Sequence, residues 1–420
     1  MDEFRSLASS LAQNTNILAD ELEKTDHDTS FNSTSGPIDL PLLSSQGSAA
    51  RSEIISAAEK ILRVAYGPLS YLYRFGDVAI EIGVLRTVIK LGLPAMIPLQ
   101  GSVSYAELAA QTKVSTSVLQ RLVRFAITSG IFTETDNGEN VKHNAMSSIF
   151  LKDPPSADGM AWVLDMCFRS STKIYEATRL DGTGQDPKKV ATSIEYRDGE
   201  DELSSLWDVH AMNPDLDRGF NNVMLSQSVS PSYSVQHVIS GFDWTQVKSV
   251  VDVGGGVGHI AEEIVKNFPH IHCTVQDIEK TIQQAHPTEK NVKFMVHDFF
   301  QPQTVQADLY LYRFILHDWS DAEAKQILQA SLSGLKDGAR LAIMDIAVPE
   351  PGVESLFVEK SVRALDITLY TMLAGKERTL TEMKDLMAAV SPHLEFKHRC
   401  QPSGSLLSFM TWVYRAPLPN

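Results

Sequence analysis

Cysteine is scarce in this chain: Cys167, Cys273 and Cys400 are the only three in 420 residues, and no two form a Cys-x-x-Cys pair. That spacing excludes a zinc knuckle and a disulfide scaffold, and predicts a reducing, cytoplasmic setting. Basic residues are also outnumbered, with 37 Lys and Arg against 52 Asp and Glu, for a formal charge of -15. Nucleic-acid affinity comes mainly from cations that neutralise phosphates, so the balance points away from DNA and RNA. Small molecules and other proteins are the expected partners. No apolar run approaches the roughly 20 residues a membrane helix needs, and the acidic, polar start is unlike a signal peptide, so neither a membrane span nor export is expected. No closely spaced His, Asp or Cys cluster has ligand spacing, so no metal site is expected either. What is present is a 43% hydrophobic, 21% charged chain, long enough for two domains.

Residues Leu7 to Leu22 carry apolar positions at helical spacing, and Thr25 to Ser48 cluster Ser, Asp, Gly and Pro. The first fifty residues therefore predict a helix followed by a flexible tether. Residues 51–225 are expected to form a helical domain, and within it Val103 to Phe150 has the shape of a helix-turn-helix followed by a small wing. Its second helix has only Lys113, Arg121 and Arg124 as nearby cations, so a scaffold for dimerisation is a stronger reading than a DNA reader. The apolar helices around Ile54 to Ile89 need covering, which predicts a homodimer.

From Ser249 the periodicity switches to short apolar runs separated by helical segments: SVVDV, HIAEEIVKNF, HCTVQDI, FMVHDFF, ADLYLYRFIL, AEAKQILQASLSGL and RLAIMDIAV. Strand alternating with helix predicts an α/β domain over 226–420, a doubly wound parallel sheet covered on both faces. LEFKHRCQ and SLLSFMTWVYR, joined by a turn at Pro402 to Gly404, predict a closing hairpin. In such sheets ligands sit beyond the carboxyl ends of the strands, which makes Asp252, Asp277, Asp298, His317 and Asp345 candidate site residues.

The most informative of these positions opens DVGGGVG, Asp252 to Gly258, between a strand and a helix. Such a loop lets the backbone approach a ligand, and the helix behind it offers free N–H groups. A dinucleotide fingerprint would carry glycine at 259, where His259 stands, and no Gly-Lys-Ser/Thr ending follows, so the loop suits neither NAD nor a triphosphate. Asp277, roughly 20 residues on, sits where a carboxylate grips ribose hydroxyls. Asp298 and Phe299 pair a hydrogen-bond acceptor with a ring suited to an adenine. In RFILHDWSD, Ser320 and Glu323 form a capping box, which leaves His317 without a capping or turn role. Asp345 and Glu377 are the carboxylates available to orient its imidazole.

DVGGGVG, Asp277, HDFF, RFILHDWSD, the Asp345 strand and GKERT stand in the order seen in class I S-adenosylmethionine-dependent O-methyltransferases of the plant caffeate and fungal natural-product type, which this chain resembles from about Ser52 onward. The resemblance implies a Rossmann-like catalytic domain behind a helical dimerisation and winged-helix domain. It implies His317 as general base flanked by Asp345 and Glu377, with aspartate at 345 where the family more often has glutamate. It places the cofactor, S-adenosylmethionine, against Asp252, Gly254, Gly256, Asp277, Ile278, Asp298, Phe299 and Arg313. An acceptor pocket is expected from Trp162, Met166 and Phe168 on one helix, His210, Met212, Phe220 and Met224 on another, and Phe314, Ile367 and Met372 near the base. Met and aromatic side chains suit a flat, apolar substrate, although stripes at helical spacing also serve ordinary cores. The expected reaction is methylation of a hydroxyl on an aromatic or polyketide-derived secondary metabolite. Two alternatives stand beside it: a pericyclase or dehydratase of the same fold that keeps the methyl group in place, and a winged-helix regulator that senses a ligand.

Overall fold

A computed structural model of the chain describes residues 2–25, 28–135, 137–197, 204–286 and 288–417. It divides into two units, Met1–Thr172 with Trp207–Gln227, and Lys173–Leu206 with Ser228–Asn420.

The first unit is helical around a small winged helix. Strands β1 (Val103–Ser104), β2 (Thr133–Glu134) and β3 (Asn140–Lys142) pair in the order β1-β3-β2, and the helices Tyr105–Thr112 and Thr116–Thr128 lie between β1 and β2. Ser104 and Glu107 cap the first of these helices reciprocally, which fixes where the strand gives way to helix. Leu108, Leu119, Val123 and Val141 are fully buried where the helices meet the wing. Arg124 donates to Glu134 Oε1 at 2.7 Å and to Gly138 O at 3.1 Å, so this cation is bound to its own wing.

The N-terminal stretch differs from the expected tether. Helix Asp2–Glu23 packs along helix Ser45–Tyr66, and Glu21 accepts from the backbone N–H and hydroxyl of Ser44, the N-cap of the second helix. The link between them is strapped to the winged helix: Ala145 N–H donates to Phe31 O at 2.9 Å, Gln100 to the Thr34 hydroxyl at 2.9 Å, and Lys152 to Gly36 O at 2.7 Å. A polar loop without periodicity gains its order here from tertiary hydrogen bonds, which composition does not register.

The second unit is a seven-stranded sheet in the order β11-β12-β8-β7-β4-β5-β6, built from β4 (Ser249–Val253), β5 (His272–Asp277), β6 (Val292–Val296), β7 (Leu309–Arg313), β8 (Arg340–Asp345), β11 (Leu394–Cys400) and β12 (Ser408–Tyr414). β4 to β8 run parallel, and the β11–β12 hairpin adds two antiparallel strands at one edge. β7 shows why the strands read as apolar runs: Tyr310 and Tyr312 are buried on one face, Leu309 and Leu311 on the other. Two short strands, β9 (Ala347–Val348) and β10 (Arg378–Thr379), pair in parallel beyond the end of β8. The order in which strands are added reverses between β4 and β7, which themselves run parallel, so their carboxyl ends flank the crevice where such sheets take ligands.

Lys173–Leu206 groups with this sheet unit. Thr192 donates to Thr371 O at 3.4 Å and the Thr178 hydroxyl meets the Tyr370 hydroxyl at 2.9 Å, both against helix Leu356–Leu373. No described helix is long and apolar enough to cross a membrane, and no metal-binding group of His, Cys, Asp or Glu occurs among the described residues.

Candidate active site

The glycine loop leaves β4 with positive φ at Gly254 (68°), Gly256 (62°) and Gly258 (93°), a path that L side chains strain to follow. A Cβ on Gly254 would stand 2.5 Å from Ile315 Cδ1, whereas one on Gly256 would meet nothing within 4 Å. The loop is pinned from below, since the N–H groups of Gly254 and Gly255 both donate to Gln276 O, at 2.8 and 3.1 Å. It is therefore open on its outer side and rigid on its inner one.

Asp277 accepts from Gly256 N–H at 2.9 Å and from Ile278 N–H at 2.8 Å. A carboxylate has about four lone-pair positions, so two remain for ribose hydroxyls. Ile278 beside it is exposed. Asp298 is exposed and accepts from Phe300 N–H at 3.0 Å, and Phe299 Cε1 lies 3.6 Å from the Gly254 Cβ position. Asp252 lies buried beneath the loop, and burial raises its carboxyl pKa to about 7. Its Oδ2 makes no hydrogen bond, and neither does Nε of Arg313, whose Nη2 donates to Tyr233 O at 2.7 Å. Two orphaned polar atoms of opposite sign, an uncrowded glycine and a half-satisfied aspartate fit the amino acid and ribose ends of S-adenosylmethionine.

His317 sits in the turn Leu316–Asp318, after β7, and is 7% exposed. Its Nδ1 donates to Glu377 Oε1 at 2.8 Å, so Nδ1 carries a proton and the neutral ring presents Nε2 as its basic atom. Asp318 Oδ1 lies 3.5 Å from Nε2. Burial opposes charge on the imidazole, but Asp318, Glu377 and Asp345 together outweigh it and raise the pKa to about 10. Burial likewise raises Asp345 and Asp318 to about 6 each, although the His317 cation works against it.

The choice that sequence left open between the two carboxylates falls to Glu377. Asp345 hydrogen-bonds elsewhere: its Oδ1 accepts from Phe314 N–H at 3.0 Å and its Oδ2 has no partner. Phe314 holds φ 56°, a conformation that costs a non-glycine residue energy and concentrates at functional sites. The shorter side chain at 345 thus supports a strained backbone and reaches His317 through its charge alone. Phe314 lies between Arg313, 4.6 Å from its ring centre, and His317, at 5.4 Å between ring centres. Tyr233 packs edge-on to the same ring at 5.5 Å and feels the charge of Glu377. Nothing in its sequence neighbourhood, PSYSV, signals that position.

Of the expected acceptor residues near His317, Met372 is buried and Ile367 is half exposed. In the helical unit, Trp162, His210 and Phe220 meet in one cluster with Trp207, which sequence reasoning missed. Trp162 Nε1 donates to His210 Nε2 at 3.2 Å, so the His210 proton lies on Nδ1, a buried donor with no partner. Met166 is fully buried on a single π-helical turn, Val163–Cys167, Phe168 is half-buried, and Met212 and Met224 are exposed.

Two family models match the chain: an O-methyltransferase domain over residues 198–390 and an O-methyltransferase dimerisation domain over 77–153. The O-methyltransferase FrzF of Cladobotryum sp is 36% identical over 427 residues, covering 99% of this chain and 100% of that protein. The chain belongs to the O-methyltransferase family. The 6-hydroxytryprostatin B O-methyltransferase of Neosartorya fischeri is 37% identical to this methyltransferase over 419 residues, covering 98% of this chain and 100% of that one. A solved structure described as a pericyclic reaction enzyme has the same fold, with TM-score 0.74 and 19% identity over 97% of this chain and 100% of that chain.

Proposed function

We propose that this enzyme methylates a hydroxyl of an aromatic or polyketide-derived secondary metabolite, with His317 as general base. The observation that carries the reading is the 2.8 Å contact from His317 Nδ1 to Glu377, which leaves Nε2 as the basic atom of the neutral ring. Bound S-adenosylmethionine supplies a methyl group activated by its sulfonium. Asp252, Gly254, Gly256, Asp277, Ile278, Asp298, Phe299 and Arg313 hold that cofactor. Nε2 of neutral His317 takes the acceptor's proton, and Asp345 and Glu377 hold the resulting cation in a site already arranged for it. The carboxylates around His317 raise its basicity toward that of a phenol, whose ordinary pKa is about 10, and so lower the cost of the proton transfer. Among the residues expected to line the acceptor pocket, the methionines and aromatic rings, Phe314 and Met372 in the sheet unit among them, favour a flat acceptor. Relatives whose names specify O-methylation of a hydroxylated compound support an oxygen acceptor.

The raised pKa gives the rate a sign. Below about pH 10 the resting imidazole is mostly cationic, so the base form and kcat/KM should rise from pH 6.5 to beyond pH 8.5. Glu377→Gln removes one of the charges that raise His317, and should move this limb toward lower pH. A profile that is flat from pH 7 to 9 in both proteins would contradict the assigned base.

The 77–153 match and the apolar helix Pro68–Lys90, on which Leu69, Leu72, Tyr73 and Phe75 are each more than 60% exposed, support a homodimer through the helical region 51–225. Light scattering at micromolar concentration should return twice the 46.4 kDa chain mass, and a monomer would contradict the assembly.

A further inference from the structure

Arg378 is 2% exposed, yet it lies in a polar run that reads as surface. Its Nη1 donates to Leu316 O at 2.7 Å, its Nη2 to Trp319 O at 2.9 Å, and its Nε to Asp321 Oδ1 at 2.8 Å. The two carbonyls bracket the turn that carries His317, and the turn's own backbone bonds, Asp318 N–H to Ile315 O at 3.2 Å and Trp319 N–H to Leu316 O at 3.3 Å, are long. Glu377 immediately precedes Arg378 in the chain. Lys376 N–H also donates to His317 O at 2.8 Å, and a Cβ on Gly375 would stand 2.4 Å from that same oxygen. The far side of the segment is held too, by Glu377 N–H on Asp366 Oδ1 at 2.9 Å and by the pairing of Arg378 with Ala347 just beyond Asp345.

We propose that Arg378 is a positioning residue, whose planar guanidinium docks the 375–379 segment onto the His317 turn and thereby sets the His317–Glu377 contact. The inference rests on the reading of His317 as base. A guanidinium presents its donors in one fixed plane and so satisfies three acceptors in a defined geometry, which a lysine ammonium does not reproduce. The groups facing His317 are Asp318 from its own turn, Glu377 from the docked segment and Asp345 from β8, with Arg378 itself lowering the Asp345 pKa. Loosening the clamp moves one of these three charges away from the ring.

The test compares Arg378→Lys, Arg378→Met and Gly375→Ala with wild type and His317→Ala. It reads kcat, both KM values, and the titration of His317 by NMR in histidine-labelled full-length protein. Arg378→Lys should lower kcat by about 10-fold to 100-fold, since a displacement near 1 Å costs on that order. KM for S-adenosylmethionine should stay within about twofold, because the cofactor residues are untouched. The His317 titration should fall toward its ordinary value, a shift that a purely structural role would not produce. Gly375→Ala, which changes no charge, should act in the same direction and decides the matter if both Arg378 variants fail to fold. A folded Arg378→Lys or Gly375→Ala with wild-type kcat and an unmoved titration would overturn the proposal. A fully active His317→Ala would instead overturn the base assignment on which it rests.

Discussion

Replacing His317 by alanine is expected to lower kcat by about 10²-fold to 10⁴-fold, equivalent to roughly 3–5 kcal/mol of barrier, while leaving cofactor affinity near wild type. The residual rate comes from alignment of the reactants, which does not need the imidazole. The same substitution removes a cation that acts on Asp318, Asp345 and Glu377, of which Asp345 and Glu377 are buried. Removing one member of a buried charge group costs about 3–5 kcal/mol when the remaining charge stays ionised, so a lower melting temperature is also expected. His317→Gln keeps an N–H donor for Glu377 but not the charge, and should recover part of the stability and none of the turnover. Steady-state rates and melting curves measured on both variants separate the two effects, and a His317→Gln enzyme with near wild-type kcat would remove the imidazole from the mechanism.

The second large effect is expected at Asp277. Its carboxylate already holds the Gly256 and Ile278 N–H groups and keeps two lone pairs for the ribose. Asp277→Ala removes both the ligand contacts and a strut of the glycine loop. Hydrogen bonds to a charged group contribute about 1.5–3 kcal/mol each, so the loss corresponds to a rise in Kd for S-adenosylmethionine on the order of 10²-fold to 10⁴-fold. Calorimetry measures it directly. At a cofactor concentration of about 100 times the wild-type Kd, the accompanying stabilisation of roughly 2.7 kcal/mol should largely vanish in the variant. An unchanged Kd would place the ribose elsewhere.

The catalytic sheet was legible because its strands are nearly continuous apolar runs punctuated by glycine and helix caps, and β4, β5, β7 and β8 fall within those runs while β6 overlaps its own. The Ser320–Glu323 capping box was legible for the same reason, since caps are local chemistry. Adjacency was not. Glu377 lies 60 positions from His317 in sequence, and nothing local distinguishes it from Asp345 as the partner of Nδ1. The difference arises because Asp345 is drawn to the N–H of Phe314, whose positive φ no pattern announces. Arg378 and Tyr233 were missed on similar grounds: a charge in a polar run reads as surface, and a lone aromatic in a loop carries no period. The hydrogen bonds that Phe31, Thr34 and Gly36 accept were not legible, because polar composition says nothing about distant partners.

The proposed reaction moves the methyl group to an oxygen and gives the acceptor's proton to His317. The direct test is incubation with methyl-labelled S-adenosylmethionine and a panel of phenolic, pyridone and polyketide alcohols, with label and unlabelled product both followed by mass spectrometry. Label should appear in an O-methyl product and be lost with His317→Ala. An acceptor that dehydrates or cyclises while the cofactor stays intact would contradict it, and would assign the same site to pericyclic chemistry.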